Sequence, residues 1–143
     1  IKLQLLDTLR LGNLDAQRDW GYARDYVEGM HLMLQADEPD TFVLSTNRTQ
    51  SVRDFVNMSF QAVDIQLEWS GSGEEEVARD ARSGQCVVAV DPKFYRPAEV
   101  DLLIGDSTRA AQLLGWKAST DLEALCRMMV EADLERNQRG SSF

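Results

Sequence analysis

Helical and strand-like apolar spacings alternate along this chain, and that alternation constrains its fold more than any other feature. Between residues 22 and 36, Tyr22, Ala23, Tyr26, Val27, Met30, Met33 and Leu34 recur at helical spacing. They predict one helix with these side chains in the core. Residues 42–45 follow as a short buried strand. Ser51 with Asp54 three residues on is a capping-box variant, so a helix should start there. Its apolar stripe is Val52, Phe55, Val56, Phe60 and Val63. Residues 65–69, 86–90 and 100–104 read as strands, and residues 70–85 as a polar, mobile connection near the mouth of a site. Asp106 opens a short helix that stops at Gly115, a favoured residue just past a helix end. Thr120 with Glu123 opens the last helix, striped by Leu122, Leu125, Cys126, Met129, Val130 and Leu134. At the other end, residues 1–3 read as the middle of a helix leading toward a short strand suggested by Leu9, Leu11 and Leu14. No repeat and no internal linker interrupts the series. The expected class is α/β.

Charge and composition remove several kinds of function. The chain has 143 residues and a net charge of −9, which argues against a nucleic-acid partner, since that would need a basic face. Its acidity is spread through Asp37-Glu38, Glu74-Glu75-Glu76 and residues 131–135, and reads as solvated surface. No apolar run reaches about 18 residues and no signal peptide opens the chain, so it is expected to be soluble and cytoplasmic, with no membrane partner. Cys86 and Cys126 lack metal-ligand spacing and are expected to be reduced core residues. His31 falls on the polar side of its helix without a nucleophile motif, hence on the surface. Trp20 and Trp116 suit core or junction packing better than base stacking, although the closeness of Trp20 to Arg18 leaves stacking open.

Two dense clusters carry chemistry. In Phe94-Tyr95-Arg96-Pro97-Ala98-Glu99-Val100-Asp101, proline pushes Arg96 toward an extended conformation and shapes a loop. A guanidinium held that way is a fork of donors suited to phosphate oxygens, and Glu99 could accept from sugar hydroxyls. The same residues also make an ordinary exposed loop in which Arg96 pairs with Glu99 or Asp101. In Leu11-Gly12-Asn13-Leu14-Asp15-Ala16-Gln17-Arg18-Asp19-Trp20-Gly21, Gly12-Asn13 marks a turn or a close backbone approach. Arg18 would project from a loop just before a helix, where backbone N–H groups favour anions; the alternative is a bond to a neighbouring carbonyl or to Asp15. Arg53, in the first turn of a helix, is badly placed against the dipole and invites a partner such as Asp54 or a ligand.

Taken in this order and spacing, the clusters resemble the GDP-mannose 4,6-dehydratase family, extended short-chain dehydrogenases/reductases. The resemblance continues through Asp25-Tyr26-Val27-Glu28, Asp37-Glu38-Pro39, Ser51-Val52-Arg53-Asp54-Phe55, Val90-Asp91-Pro92-Lys93, Leu114-Gly115-Trp116-Lys117 and Met129-Val130-Glu131-Ala132-Asp133-Leu134-Glu135. Arg18-Asp19-Trp20 is shared with other nucleotide-sugar enzymes, whereas Leu-Gly-Asn-Leu-Asp-Ala and Tyr-Arg-Pro-Ala-Glu-Val-Asp point to the GDP-mannose branch.

The resemblance implies a C-terminal substrate-binding part, lacking the N-terminal Rossmann half. Its implied layout is residues 1–21 as a strand and loop leading from the cofactor domain and residues 22–143 as the α/β substrate domain. The family's Gly-rich fingerprint, Tyr-x-x-x-Lys pair and catalytic Thr and Glu are not found; Ser70-Gly71-Ser72-Gly73 runs into three carboxylates that would repel a pyrophosphate. In the complete enzyme the resemblance implies NADP chemistry: hydride leaves sugar C4, water is lost across C5 and C6, and the hydride returns at C6. By carry-over, Arg18 and Arg96 contact the diphosphate and adjoining ribose of GDP-mannose and Glu99 accepts from the ribose hydroxyls. None of them is a catalyst, so the chain alone is expected to be inactive and to bind no cofactor. Its partners would be GDP-mannose, the N-terminal cofactor-binding half and a second copy in a homo-oligomer. Another nucleotide-sugar epimerase or reductase, or a non-catalytic binding module, are the competing readings.

Overall fold

A computed structural model describes residues 1–96 and 104–140. In chain order these form β1 (Leu9–Leu11), β2 (Gln17–Arg18), α1 (Ala23–Leu34), β3 (Gln50–Ser51), α2 (Val52–Gln61), β4 (Leu67–Ser70), β5 (Val77–Asp80), β6 (Cys86–Val90), α3 (Thr108–Leu114) and α4 (Leu122–Gln138). One sheet runs β1-β6-β5-β4, and β2 pairs with β3 in a separate two-stranded ladder. The pairing of β1 with β6 is parallel, Leu9 opposite Val88 and Leu11 opposite Val90, while β6, β5 and β4 are antiparallel neighbours.

The main core lies where α2 covers the sheet. Val56 and Phe60 pack against Ala78, Val87 and Val88, with Leu9, Leu11, Leu67 and Trp69 at the margin. The predicted cap places this helix: the Asp54 N–H donates to Ser51 Oγ at 3.1 Å, and the Ser51 N–H donates to Asp54 Oδ2 at 3.0 Å. Helix α4 packs on α2 through buried Leu125 and Cys126. Gly115 ends α3 at φ 67°, a left-handed conformation that glycine adopts without strain.

Several expectations are corrected. Residues 1–3 form a turn, not a helix: the Gln4 N–H closes on Ile1 O at 2.9 Å and Gln4 sits at φ 57°, which stops helical propagation. Leu14 is buried in the loop after β1 and is not part of the strand. Among the described residues, 42–45 have no ladder partner; Leu44 packs on Gly29 of α1, and Ser45 Oγ donates to Gly105 O at 2.7 Å. The strand expected at 65–69 begins at Leu67. Residues 70–85 are an ordered hairpin region, with a turn of 3-10 helix at Gly73–Glu75, then β5, whose Ala78 is fully buried. The last helix is capped by Asp121, whose carboxylate accepts from Ala124 N–H at 2.8 Å; the Thr120 N–H goes to Asp25. Of the strand expected at 100–104, only Ile104 is among the described residues, and it lies outside any strand.

Helix α1 departs most from expectation. Its buried residues are Asp25 and Gly29, while Ala23, Val27, Met30 and Leu34 face outward, Leu34 with 82% of its surface exposed. The covered side is centred on Asp25 and Gly29, to one side of the apolar stripe, so spacing alone did not show which side the fold covers.

Candidate functional site

The two chemistry-bearing clusters leave the same end of the sheet. Leu11 and Val90 are paired at the C-terminal ends of parallel β1 and β6, so residues 12–18 and 91–96 both depart from that edge. In α/β sheets the crevice outside the carboxyl ends of parallel strands is where ligands bind. The Asp91 N–H donates to Leu11 O at 2.8 Å, binding the two departures together. Gly12 is required here: a Cβ at this position would collide with the Phe94 carbonyl, which realises the expected close backbone approach.

After Gly12, Asn13 Oδ1 accepts from the Asp15 N–H at 2.9 Å, a side-chain-closed turn. The first turn of α2 then holds the loop from below, Val52 N–H to Ala16 O at 3.1 Å and Arg53 N–H to Leu14 O at 2.9 Å. Arg18 follows on β2, half-buried, opposite Gln50. It does not stand on a loop before a helix: α1 begins only at Ala23, and Tyr22 gives its N-terminus no side-chain cap. Arg18 Nη1 donates to Gln17 O at 2.7 Å, the neighbouring carbonyl that the sequence offered as an alternative partner. Asp19 fastens the strand by accepting from Thr46 N–H at 3.0 Å and Thr46 Oγ1 at 2.7 Å. Trp20 is a packing residue, 4.8 Å from the Phe55 ring with its Nε1 on Gln50 O at 3.3 Å.

Arg96 is exposed at the end of the turn built on Asp91, whose carbonyl accepts from Phe94 N–H at 2.9 Å and whose carboxylate accepts from Lys93 N–H at 3.0 Å. Glu99, the third expected site residue, lies outside the described residues together with Pro97 and Asp101.

The sequence reading missed an ion cluster beneath the site. Arg53 finds neither Asp54, which is occupied in the cap, nor open solvent. Its guanidinium pairs with Glu76, Nη2 to Oε2 at 3.0 Å, and with Asp15 at 2.6 Å, and lies 4.9 Å from the centre of the Trp69 ring. The hydrogen bond with Glu76 is the main reason that its already high pKa rises further. Glu76, expected to be solvated as one of three adjacent acidic residues, is buried at 8% exposure. The available signal was the unfavourable arginine in a helix's first turn, which demands a carboxylate.

A separate cleft of about 440 Å³ opens between residues 46–50 and the start of α4, lined in part by Trp20, Arg48, Gln50 and Glu123. Thr46 and Ser119, also in its lining, are engaged with Asp19 and Asp25, and neither Arg18 nor Arg96 reaches it. Among the described residues no group of three or more His, Cys, Asp or Glu side chains could hold a metal ion, and no helix is long and apolar enough to cross a membrane.

Comparison with known proteins decides the family. The family model for GDP-mannose 4,6 dehydratase matches residues 1–129. The chain belongs to the GDP-mannose 4,6 dehydratase family. It is 53% identical over 134 residues to the GDP-mannose 4,6-dehydratase of Sinorhizobium fredii (strain HH103), covering 94% of this chain and 38% of that protein. To the human GDP-mannose 4,6 dehydratase it is 51% identical over 135 residues, with 94% and 36% covered. The chain therefore spans little more than a third of the length of these relatives. Among solved structures, RMD from Pseudomonas aeruginosa complexed with NADPH superimposes with a TM-score of 0.73 at 17% identity, over 94% of this chain and 39% of that one. TunA, an NAD-dependent NDP-hexosamine 5,6-dehydratase, gives 0.68 at 17% identity, over 94% and 38%. The α/β fold is thus that of part of an extended short-chain dehydrogenase/reductase.

Proposed function

We propose that this chain is the GDP-sugar-binding part of a GDP-mannose 4,6-dehydratase, the enzyme that converts GDP-mannose to GDP-4-keto-6-deoxymannose. The observation that carries the reading is the shared origin of the two arginine-bearing segments, which leave the C-terminal ends of adjacent parallel strands and are tied by Asp91 to Leu11. In this reading Arg18 and Arg96 hold the diphosphate and adjoining ribose, and Glu99 accepts from the ribose hydroxyls. Binding energy collected at the nucleotide would orient the hexose for chemistry elsewhere in the enzyme.

The complete enzyme would use NADP, but the described residues do not fit that group. Glycines with positive φ lie at 71, 73, 84, 115 and 140, none of them between a strand and the N-terminus of a long helix where a pyrophosphate could sit. The turn at Gly73 leads instead into Glu74 and Glu75. Cofactor binding and the chemical step therefore belong to the rest of the protein, and this chain alone should show no turnover of GDP-mannose. Calorimetric titration with GDP-mannose, with UDP-glucose as control, tests the assignment. Selective heat of binding to GDP-mannose supports a preorganised grip; absence of binding to both would remove the proposal that this part holds the nucleotide by itself.

The exposed apolar face formed by Val27, Met30 and Leu34 is assigned to contact with the remainder of the dehydratase. Relatives extend far beyond the matched region, which supplies an occupant. Apolar area left uncovered in this way favours self-association. Light scattering on the isolated chain should give a mass above that of a monomer, and a monodisperse monomer would count against the assignment.

A further inference from the structure

We propose that Arg53 is a positioning residue for the candidate site, fixing the Arg18-bearing segment relative to the one that carries Arg96. The inference rests on the proposed nucleotide-binding role of those two arginines.

The connections run through one guanidinium. On one side it holds Asp15, in the turn between Gly12 and β2, while its own N–H and that of Val52 hold Leu14 O and Ala16 O. These bonds set where β2, and therefore Arg18, begins. On the other side it grips the buried carboxylate of Glu76. The carbonyl of Glu76 accepts from Val90 N–H at 3.0 Å, at the last residue of β6. The next residue, Asp91, starts the turn that ends at Arg96. One side chain thus bridges the roots of both segments, and α2, anchored in the core by Val56 and Phe60, supplies the rigid support.

The two legs of this bridge differ in kind. Glu76 is buried, so its pairing with Arg53 is needed for the fold to tolerate the charge. The side chain of Asp15 is 78% exposed. A pair of that exposure contributes little to stability, so holding the turn in register is the effect left for it. The planar fork also matters: arginine can bond two carboxylates in different directions at once, whereas lysine is a point charge that serves one.

Asp15→Asn separates positioning from folding. Its melting temperature should match that of the native chain, while GDP-mannose affinity falls about three- to fivefold because the arginine-bearing segment is less well held. Asp15→Glu, which keeps a carboxylate within reach, should restore affinity. Arg53→Lys should retain the Glu76 contact and behave like Asp15→Asn. Hydrogen exchange across residues 13–18 supplies a reading that needs no ligand: it should speed up in Asp15→Asn and Arg53→Lys and return to the native rate in Asp15→Glu. If the native chain binds GDP-mannose and Asp15→Asn binds equally well with unchanged exchange, the positioning role is overturned. If the native chain binds no GDP-mannose, this part does not hold the nucleotide by itself, and exchange at 13–18 alone decides whether Arg53 fixes the segment.

Discussion

Replacing Asp25 by Ala is expected to lower stability by about 3–5 kcal/mol, roughly 10–20 °C in melting temperature for a chain of this size. Asp25 is 5% exposed on α1, and its carboxylate accepts from Ser119 N–H at 3.1 Å, Ser119 Oγ at 3.0 Å and Thr120 N–H at 2.9 Å. Its own carbonyl accepts from Trp116 Nε1 at 2.8 Å. Removing the carboxylate leaves two backbone donors and a hydroxyl without their acceptor at a junction that joins α1 to the 116–120 segment. Burial is the largest single influence on the Asp25 pKa and pushes it up, but the bonds from Thr120 and Ser119 together outweigh burial and hold it below its ordinary 3.8. A carboxylate depressed in the folded state stabilises above its unfolded value and loses that contribution as pH falls through the folded one. Urea unfolding should therefore show the gap between native protein and Asp25→Asn undiminished from pH 7 down to about 4 and shrinking below it. A gap that stays constant at pH 3 and lower would show that the charge of Asp25 is not what holds the junction.

In the whole dehydratase, Arg96→Ala is expected to cost about 2–4 kcal/mol of nucleotide affinity, roughly 30- to 1000-fold in Kd, because the proposed charge-assisted phosphate contact would be lost. Arg96 is exposed and lies at the end of the Asp91 turn, so its removal should leave the melting temperature where it was. The effect should appear in the Kd for GDP as well as for GDP-mannose, since the proposed contact is to the diphosphate and ribose and not to the hexose. Unchanged GDP affinity in Arg96→Ala would sink the assignment of this residue, whatever happens to turnover.

How much of this was legible beforehand depends on how local each determinant is. The Ser51–Asp54 box, the Val56 and Phe60 stripe, the strand at 86–90 and the stop at Gly115 each follow from residues within one or two turns of each other, and each appears in the fold. The motif around Gly12 likewise announced a close approach, although not that Phe94 would be what approaches. Strand β5 was hidden because the fully buried position of its run Val77-Ala78-Arg79-Asp80 is only an alanine, too weak an apolar signal to mark a strand. The two-residue pairing of β2 with β3 is too short to leave any periodic signal, and it is what moved Arg18 from a loop onto a strand.

The sequence by itself determined the α/β class and the family, because these depend on residue types at fixed local spacing. Tertiary structure alone decided which side of α1 is covered, since that side is centred not on the apolar stripe but on Asp25, whose acceptor bonds are answered 94 and 95 residues later. It also decided that Arg53 meets Asp15 and Glu76, from segments 38 and 23 residues away in opposite directions along the chain. A charge in a low-dielectric setting must find its counter-charge wherever the folded chain brings one, and no local pattern records where that is.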